Sequence, residues 1–284
     1  MKNNYLFIII FIFAMIIFFI WQNNSVVISK YEYKNSKLFT NFNGFKILHI
    51  SDLHNKNFHG SLYKKTKDIN PDIIVITGDL IDRRRTRVDT AVDFISQIVK
   101  IAPVYYVSGN HEQLSASYDE LKENLVKLGV HILDNAYITL NHDGENIGLM
   151  GLADPASLYI EGDNLKNINR IYAENNINKL YENTETDFNI LLSHRPELYD
   201  VYKKMNVDLI FSGHAHGGQI RIPFLGGLLA PNQGFFPKYS EGMITEGHTT
   251  MIVSRGLGNS IFPLRIFNRP ELIVVTLNRE AIKH

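Results

Sequence analysis

Hydrophobic and polar positions change period three times along this chain. Residues 5–21 (YLFIIIFIFAMIIFFIW) are apolar throughout and carry no charge. At ~1.5 Å rise per residue this run reaches ~25 Å, slightly short of a typical ~30 Å hydrocarbon core, with Tyr5 and Trp21 placed as interfacial anchors. Lys2 precedes it, as in a signal peptide, but WQNNSVV offers no small-residue cleavage site, so an uncleaved single-pass anchor over residues 1–24 is expected. A polar connector over 25–44 follows. From residue 45 short runs rich in Ile, Val and Leu end at Ser, Thr, Gly or Asp, and predict strands at 45–50, 72–77, 104–108, 190–193 and 208–212. Amphipathic stretches at 88–100 and 118–127 separate some of them, the first with Val88, Val92, Ile95 and Val99 on one face. Further strands are expected at 130–133, 137–140, 146–151, 249–253 and 271–277. Strand and helix units in this alternation imply right-handed crossovers and an α/β fold with a largely parallel sheet, in one domain over 45–284.

Ligands of open α/β sheets gather beyond the carboxyl ends of the strands. Here those ends carry the chemistry. The first strand runs into Ser51, Asp52, Leu53 and His54, the second into Thr77, Gly78 and Asp79, and the third into Ser108, Gly109, Asn110, His111 and Glu112. A later strand ends at Ser193 and His194, and another at Ser212, Gly213, His214, Ala215 and His216. Taken singly, each has an ordinary reading: Asp as a turn or helix cap, Asn after Gly as a turn residue, His as a hydrogen-bonded surface group. Five successive strand tips each delivering a carboxylate, carboxamide or imidazole is a pattern that turns do not require.

Composition narrows the chemistry. The 284 residues include no cysteine, which removes disulfides and thiolate metal sites. Formal net charge is zero, so no electrostatic footprint marks nucleic acid as a partner. Mixed oxygen and imidazole donors suit divalent ions such as Mn²⁺, Fe²⁺, Zn²⁺ or Co²⁺ rather than a closed structural zinc site. Two such ions need one anionic bridge, and Asp79, central in the series, is the natural one.

The ordered blocks SDLH, GDLID, GNHE, SH and GHAH resemble the calcineurin-like metallophosphoesterase superfamily over roughly residues 46–277. The run at 191–242 resembles its membrane-anchored bacterial members, of the type that includes UDP-2,3-diacylglucosamine hydrolase-like phosphoesterases. That resemblance implies a layered αββα sandwich and a dinuclear centre holding Mn, Zn or Fe. It assigns Asp52, His54, Asp79 and His216 to one metal, Asp79, Asn110, His194 and His214 to the other, and proton donation to His111. Arg83, in GDLIDR, would face substrate or cap a helix. Glu112 stands where many relatives have Asp. The resemblance also implies an extracytoplasmic catalytic domain, although Lys30, Lys34 and Lys37 after the apolar run do not favour that orientation by the positive-inside count.

The substrate stays open between several classes. Residues 223–239 are rich in Gly, Pro, Phe and Leu, which suggests a substrate with an acyl chain; the alternative is that Phe224, Phe235 and Phe236 pack on the core. A soluble phosphodiester, a phosphoprotein, and a silent metal-binding module that loads ions but hydrolyses nothing are the competing readings.

Overall fold

Continuously apolar strands in this chain serve two cores at once, one on each face. In β2 (Phe45–Ile50), Leu48 and Ile50 enter one cluster while Phe45 and Ile47 enter another. The computed structural model describes residues 2–159, 164–182, 184–205, 207–259 and 262–280. Residue 1 of the expected anchor and 281–284 of the expected domain lie outside them. Around β2, the first half holds α1 (Lys2–Asn24), β1 (Val27–Asn35), α2 (Ser61–Ile69), β3 (Ile73–Thr77), α3 (Val88–Ile98), β4 (Val104–Val107), α4 (Asn110–Gln113), α5 (Tyr118–Lys127) and β5 (His131–Ile132). The second half holds β6 (Ala136–His142), β7 (Glu145–Leu152), α6 (Leu165–Tyr181), β8 (Asn189–Ser193), α7 (Tyr199–Tyr202) and β9 (Leu209–Ser212). Four two-residue strands follow, β10 (Arg221–Ile222), β11 (Gly226–Gly227), β12 (Leu229–Ala230) and β13 (Gly234–Phe235), then β14 (Gly242–Glu246), β15 (Thr249–Val253) and β16 (Glu271–Arg279).

Two six-stranded sheets form, in the orders β1-β16-β2-β3-β4-β5 and β14-β15-β9-β8-β7-β6. Pairing is parallel except β16 with β2, β14 with β15 and β6 with β7, so both sheets are mixed and largely parallel. The sheets pack face to face: Ile47, Val75 and Val107 of the first meet Ile190, Phe211 and Ile252 of the second. The outer face of the first sheet is covered by α2, α3 and α5 through Leu62, Ile95 and Leu121. That of the second is covered by α6 and α7 through Ile177 and Tyr202. The expected αββα layering is therefore present, and the strand period of two is what sorts each run between cores.

Two parts of the expected organisation differ. The stretch 25–44, expected to be a connector, carries β1, which pairs in parallel with β16 from Val27↔Glu271 to Asn35↔Arg279. Its polar look comes from Lys30, Glu32 and Lys34, exposed on one side of an edge strand whose other side buries Tyr33. Helix α6 had no predicted counterpart; it buries Asn169, Ala173, Ile177 and Leu180, a stripe too small and polar to announce itself. Phe224, Phe235 and Phe236 are exposed and do not pack on the core.

At the site end the tips of β3 and β4 touch backbone to backbone. Gly78 has φ +86°, and a Cβ there would lie 2.5 Å from Gly109 Cα and 2.9 Å from Ser108 C. Gly129 has nearly the same φ, +84°, with nothing within 4 Å. Gly129→Ala should therefore cost only the left-handed conformation, about 1 kcal/mol, whereas Gly78→Ala should cost roughly 2–4 kcal/mol by adding backbone overlap. Urea unfolding of the two variants checks this; equal losses would contradict the close approach.

Candidate active site

The chain turns sharply at each strand tip, and it does so with unusual backbone. Asp52 (φ 54°), His54 (45°), Asp79 (52°), His214 (64°) and His216 (48°) all occupy the left-handed region. Asp and His tolerate it better than most residues, yet each position costs on the order of 1 kcal/mol and persists only where its surroundings hold it. Hydrogen bonds between tips do the holding: Asp52 N–H donates to Gly78 O at 3.0 Å, His54 N–H to Asp79 O at 3.0 Å, and Gly213 N–H to His194 O at 3.1 Å. His194 Nδ1, on β8's tip, lies 2.6 Å from Thr77 O on β3 and so joins the two sheets.

Seven side chains thereby converge in two groups. In the first, His54 Nε2 and His216 Nε2 are 3.1 Å apart, and Asp52 Oδ1 is 3.2 Å from His216 Nε2. Asp79 Oδ2 lies 3.5 Å from His54 Nε2. In the second, His194 Nε2 is 3.3 Å from the same Asp79 Oδ2, 3.1 Å from His214 Nδ1 and 3.2 Å from Asn110 Oδ1. One oxygen of Asp79 thus belongs to both. Its other oxygen accepts the His111 N–H at 2.9 Å. His214 and His216 send their rings to different groups across Ala215; an extended chain would put them on one side, and the left-handed backbone at both residues is what splays them.

The donor set fits divalent cations. With bonds of about 2.1 Å, ligand atoms on one ion sit roughly 3.0–3.4 Å apart, close to the separations found. Asp52 and Asp79 are buried; burial favours their neutral acids, but the adjacent imidazoles hold both carboxylates below their usual range. Burial would also lower His194, yet Asp79 and Asp52 lift it to about 10. His216 is pushed down by burial to about 3 and stays neutral. Two buried carboxylates that draw protons onto a neighbouring ring make a place where positive charge is favourable. With His194 Nδ1–H held by Thr77 O, it is the Nε2 proton facing Asp79 that a cation would displace, leaving the lone pair it needs.

His111 and Arg83 lie differently. His111 packs its ring 4.5 Å from that of His54 and is 3.9 Å from Asp82 Oδ1 through Nδ1. Arg83 is exposed; its backbone N–H donates to His111 Nδ1 at 3.2 Å, and it caps no helix, since α3 begins after Arg87. Asp82 also stands 4.0 Å from His54 Nδ1, so His54, Asp82 and His111 form a third acidic and imidazole group.

Several supporting residues escaped the sequence reading. Glu112, noted there only as a variation, is fully buried and accepts from Asp79 N–H (2.7 Å), Gly109 N–H (2.8 Å) and Ile81 N–H (3.0 Å), tying two tips together. Burial and the Asp79 charge push its carboxyl up to about 7. Arg265, also fully buried, donates to Arg255 O at 2.9 Å and reaches within 3.4 Å of His216 Nδ1. Asn268 Nδ2 donates to His216 O at 2.7 Å. Behind His214, Asn232 Nδ2 is 3.1 Å from its Nε2 and 2.9 Å from Glu197, which in turn meets Arg195, itself paired with Asp154 at 2.7 Å. Only the position of Arg195 beside His194 hinted at this chain of contacts.

Comparison with known proteins agrees with the geometry. Phosphodiesterase YaeI of Escherichia coli K12 is 26% identical over 250 residues, covering 82% of both chains. A transmembrane protein with metallophosphoesterase domain from Danio rerio is 26% identical over 259 residues, 86% of this chain and 55% of that protein. Metallophosphoesterase YkuE of Bacillus subtilis strain 168 is 32% identical over 257 residues, 88% of this chain and 84% of that protein. A family model described as calcineurin-like phosphoesterase matches residues 45–218, from the start of β2 to the glycines after His216, and so contains every candidate residue. The chain belongs to the calcineurin-like phosphoesterases, metal-dependent hydrolases of phosphoric esters.

Proposed function

We propose that this enzyme hydrolyses a phosphodiester or pyrophosphate bond in an amphiphilic, membrane-associated substrate, such as a UDP-linked acylated sugar, at two divalent cations. The observation that carries the reading is the contrast between the cavities flanking the GHAH histidines. On one side His216 forms part of the wall of a cavity of about 370 Å³ completed by Leu229, Pro231 and Phe262. On the other, Asn232, in contact with His214, lines a cavity of about 580 Å³ that carries both basic (Lys166, Arg170, Lys238) and acidic (Glu197, Asp200) side chains. A phosphorus seated between them would have room for an apolar arm on one side and an arm bearing polar and charged groups on the other. Helix α1 supports membrane association: Asn4–Asn24 is long and apolar enough to span a bilayer, and one relative is named as a transmembrane protein.

In this reading Asp52, His54, Asp79 and His216 hold one cation, and Asp79, Asn110, His194 and His214 the other. Bound there, Mn, Zn or Fe ions would polarise the phosphoryl oxygens and lower the pKa of the attacking water. The chain's own residues orient and move protons. Asn110, with Oδ1 turned to His194, keeps its Nδ2 free to donate to a phosphoryl oxygen, and the exposed Arg83 guanidinium is within the same loop system to meet a second charge. Arg83 N–H meets His111 Nδ1 in the neutral ring; as the acid His111 would be the imidazolium, its Nδ1–H turned to Asp82 and its Nε2–H given to the leaving oxygen, which leaves a neutral ring with its proton on Nδ1.

Asp79→Asn should lower Mn²⁺-dependent hydrolysis of bis(p-nitrophenyl) phosphate by the full-length protein by at least about 10²-fold, because both groups lose their shared oxygen. Unchanged turnover in that variant would remove Asp79 from the centre. His111→Ala should retain bound metal and slow an alkyl phosphodiester by roughly 10²–10⁴-fold, while the activated p-nitrophenyl ester slows far less. Equal slowing of both esters would deny His111 its proton. Phosphopeptide turnover above diester turnover in the wild type would favour the phosphoprotein reading instead.

A further inference from the structure

Among the described residues, helix α1 meets the rest of the protein near its C-terminal end, and the place it meets is next to the candidate active site. The Phe18 ring lies 5.7 Å, edge-on, from that of Phe267. The Arg269 guanidinium sits 4.6 Å over Trp21, and Asn23 Oδ1 accepts from Arg265 N–H at 2.9 Å. Arg265 in turn reaches His216 at 3.4 Å. A span of ~20 residues is needed to cross ~30 Å of hydrocarbon, which extends the apolar run of Asn4–Asn24 to its last turn. Phe18 then sits within the bilayer's edge, and Phe267, in contact with it, is at the same level.

Phe267 does not stand alone there. Ile266 bridges to Ile220 and its carbonyl accepts from Arg221 N–H at 3.0 Å, which sets the β10–β11 hairpin beside it. Phe267, Phe224 and Leu225 face one open cavity of about 400 Å³. Phe224 is fully exposed at the hairpin tip, with Phe235 and Phe236 exposed on the next hairpin. Phe224, Phe236 and Phe267 have φ of 68°, 51° and 52°, a conformation bulky side chains rarely adopt. Exposed apolar residues clustered at this density mark a contact surface.

We infer that the β10–β11 hairpin tip and Phe267 form a second membrane contact, an aromatic rim lying in the lipid interface beside α1 and turning the mouth of the metal centre toward the bilayer surface. The occupant is lipid because the rim is continuous with the helix that the proposed function places in the membrane, and the inference rests on that placement. A substrate whose apolar arm stays in the bilayer would then reach the His216 cavity without leaving the membrane.

The chain has no cysteine, so single introduced cysteines report local environment directly. Full-length Phe224→Cys, Leu225→Cys, Phe11→Cys and Val126→Cys variants, labelled with bimane, would be reconstituted in vesicles of equal parts phosphatidylcholine and phosphatidylglycerol. Labels at 11, 224 and 225 should be quenched several-fold more by doxyl lipid than the label at 126 on α5, and shielded from iodide. Lipid quenching at 11 but iodide quenching at 224 and 225, equal to that at 126, would overturn the rim and leave the anchor standing. No lipid quenching at 11 would overturn the anchor itself, and the rim with it. Shielding at 224 from both quenchers would mean that protein, not lipid, covers the rim, and would also overturn the inference.

Discussion

A single carboxylate oxygen, Asp79 Oδ2, lies within hydrogen-bonding range of histidines from both sheets, and most of the surrounding architecture exists to keep it there. Its backbone N–H is held by buried Glu112, its other oxygen by the His111 N–H, and its loop by the contact between Gly78 and Gly109. Two buried carboxylates so close together are unfavourable unless positive charge sits between them. Protons on the histidines supply that charge in part, and the facing nitrogens and oxygens are spaced for cations to supply the rest.

The sandwich makes this arrangement possible. Strands β2, β3 and β4 deliver Asp52, Asp79 and Asn110 from one sheet, and β8 and β9 deliver His194, His214 and His216 from the other, so the site closes where the two carboxyl edges meet. Neither sheet alone offers enough ligands. The left-handed turns at Asp52, His54, Asp79, His214 and His216 and the backbone contacts between tips store strain that the three packed cores offset. Burial pulls Arg265 down to about 10, yet it stays charged near His216 because the Gly258 and Arg255 carbonyls and the Asp52 charge take the place of water.

Much of this was legible in the sequence because strand tips are local. The β2 and β15 boundaries follow directly from apolar runs, and the five motif blocks name the converging side chains in order. What was hidden depends on partners distant in sequence. β1 looks polar because it is an edge strand paired with β16 some 240 residues later, as its register from Val27↔Glu271 records. The role of Glu112 appears only when the tips of β3 and β4 are seen to donate to the same Glu112 oxygen, Oε2. Phe224 and Phe236 read as core residues by type, and only the short hairpins beside them, too short to carry a periodic signal, expose them.

The central claim is that Asp79 joins two cation sites into one. The most direct measurement is the electron paramagnetic resonance spectrum of the full-length protein titrated with Mn²⁺. Binding that saturates at two ions per chain with an exchange-coupled spectrum is the result expected if one carboxylate oxygen bridges both ions. Saturation at one ion with an isolated six-line signal would contradict a shared site.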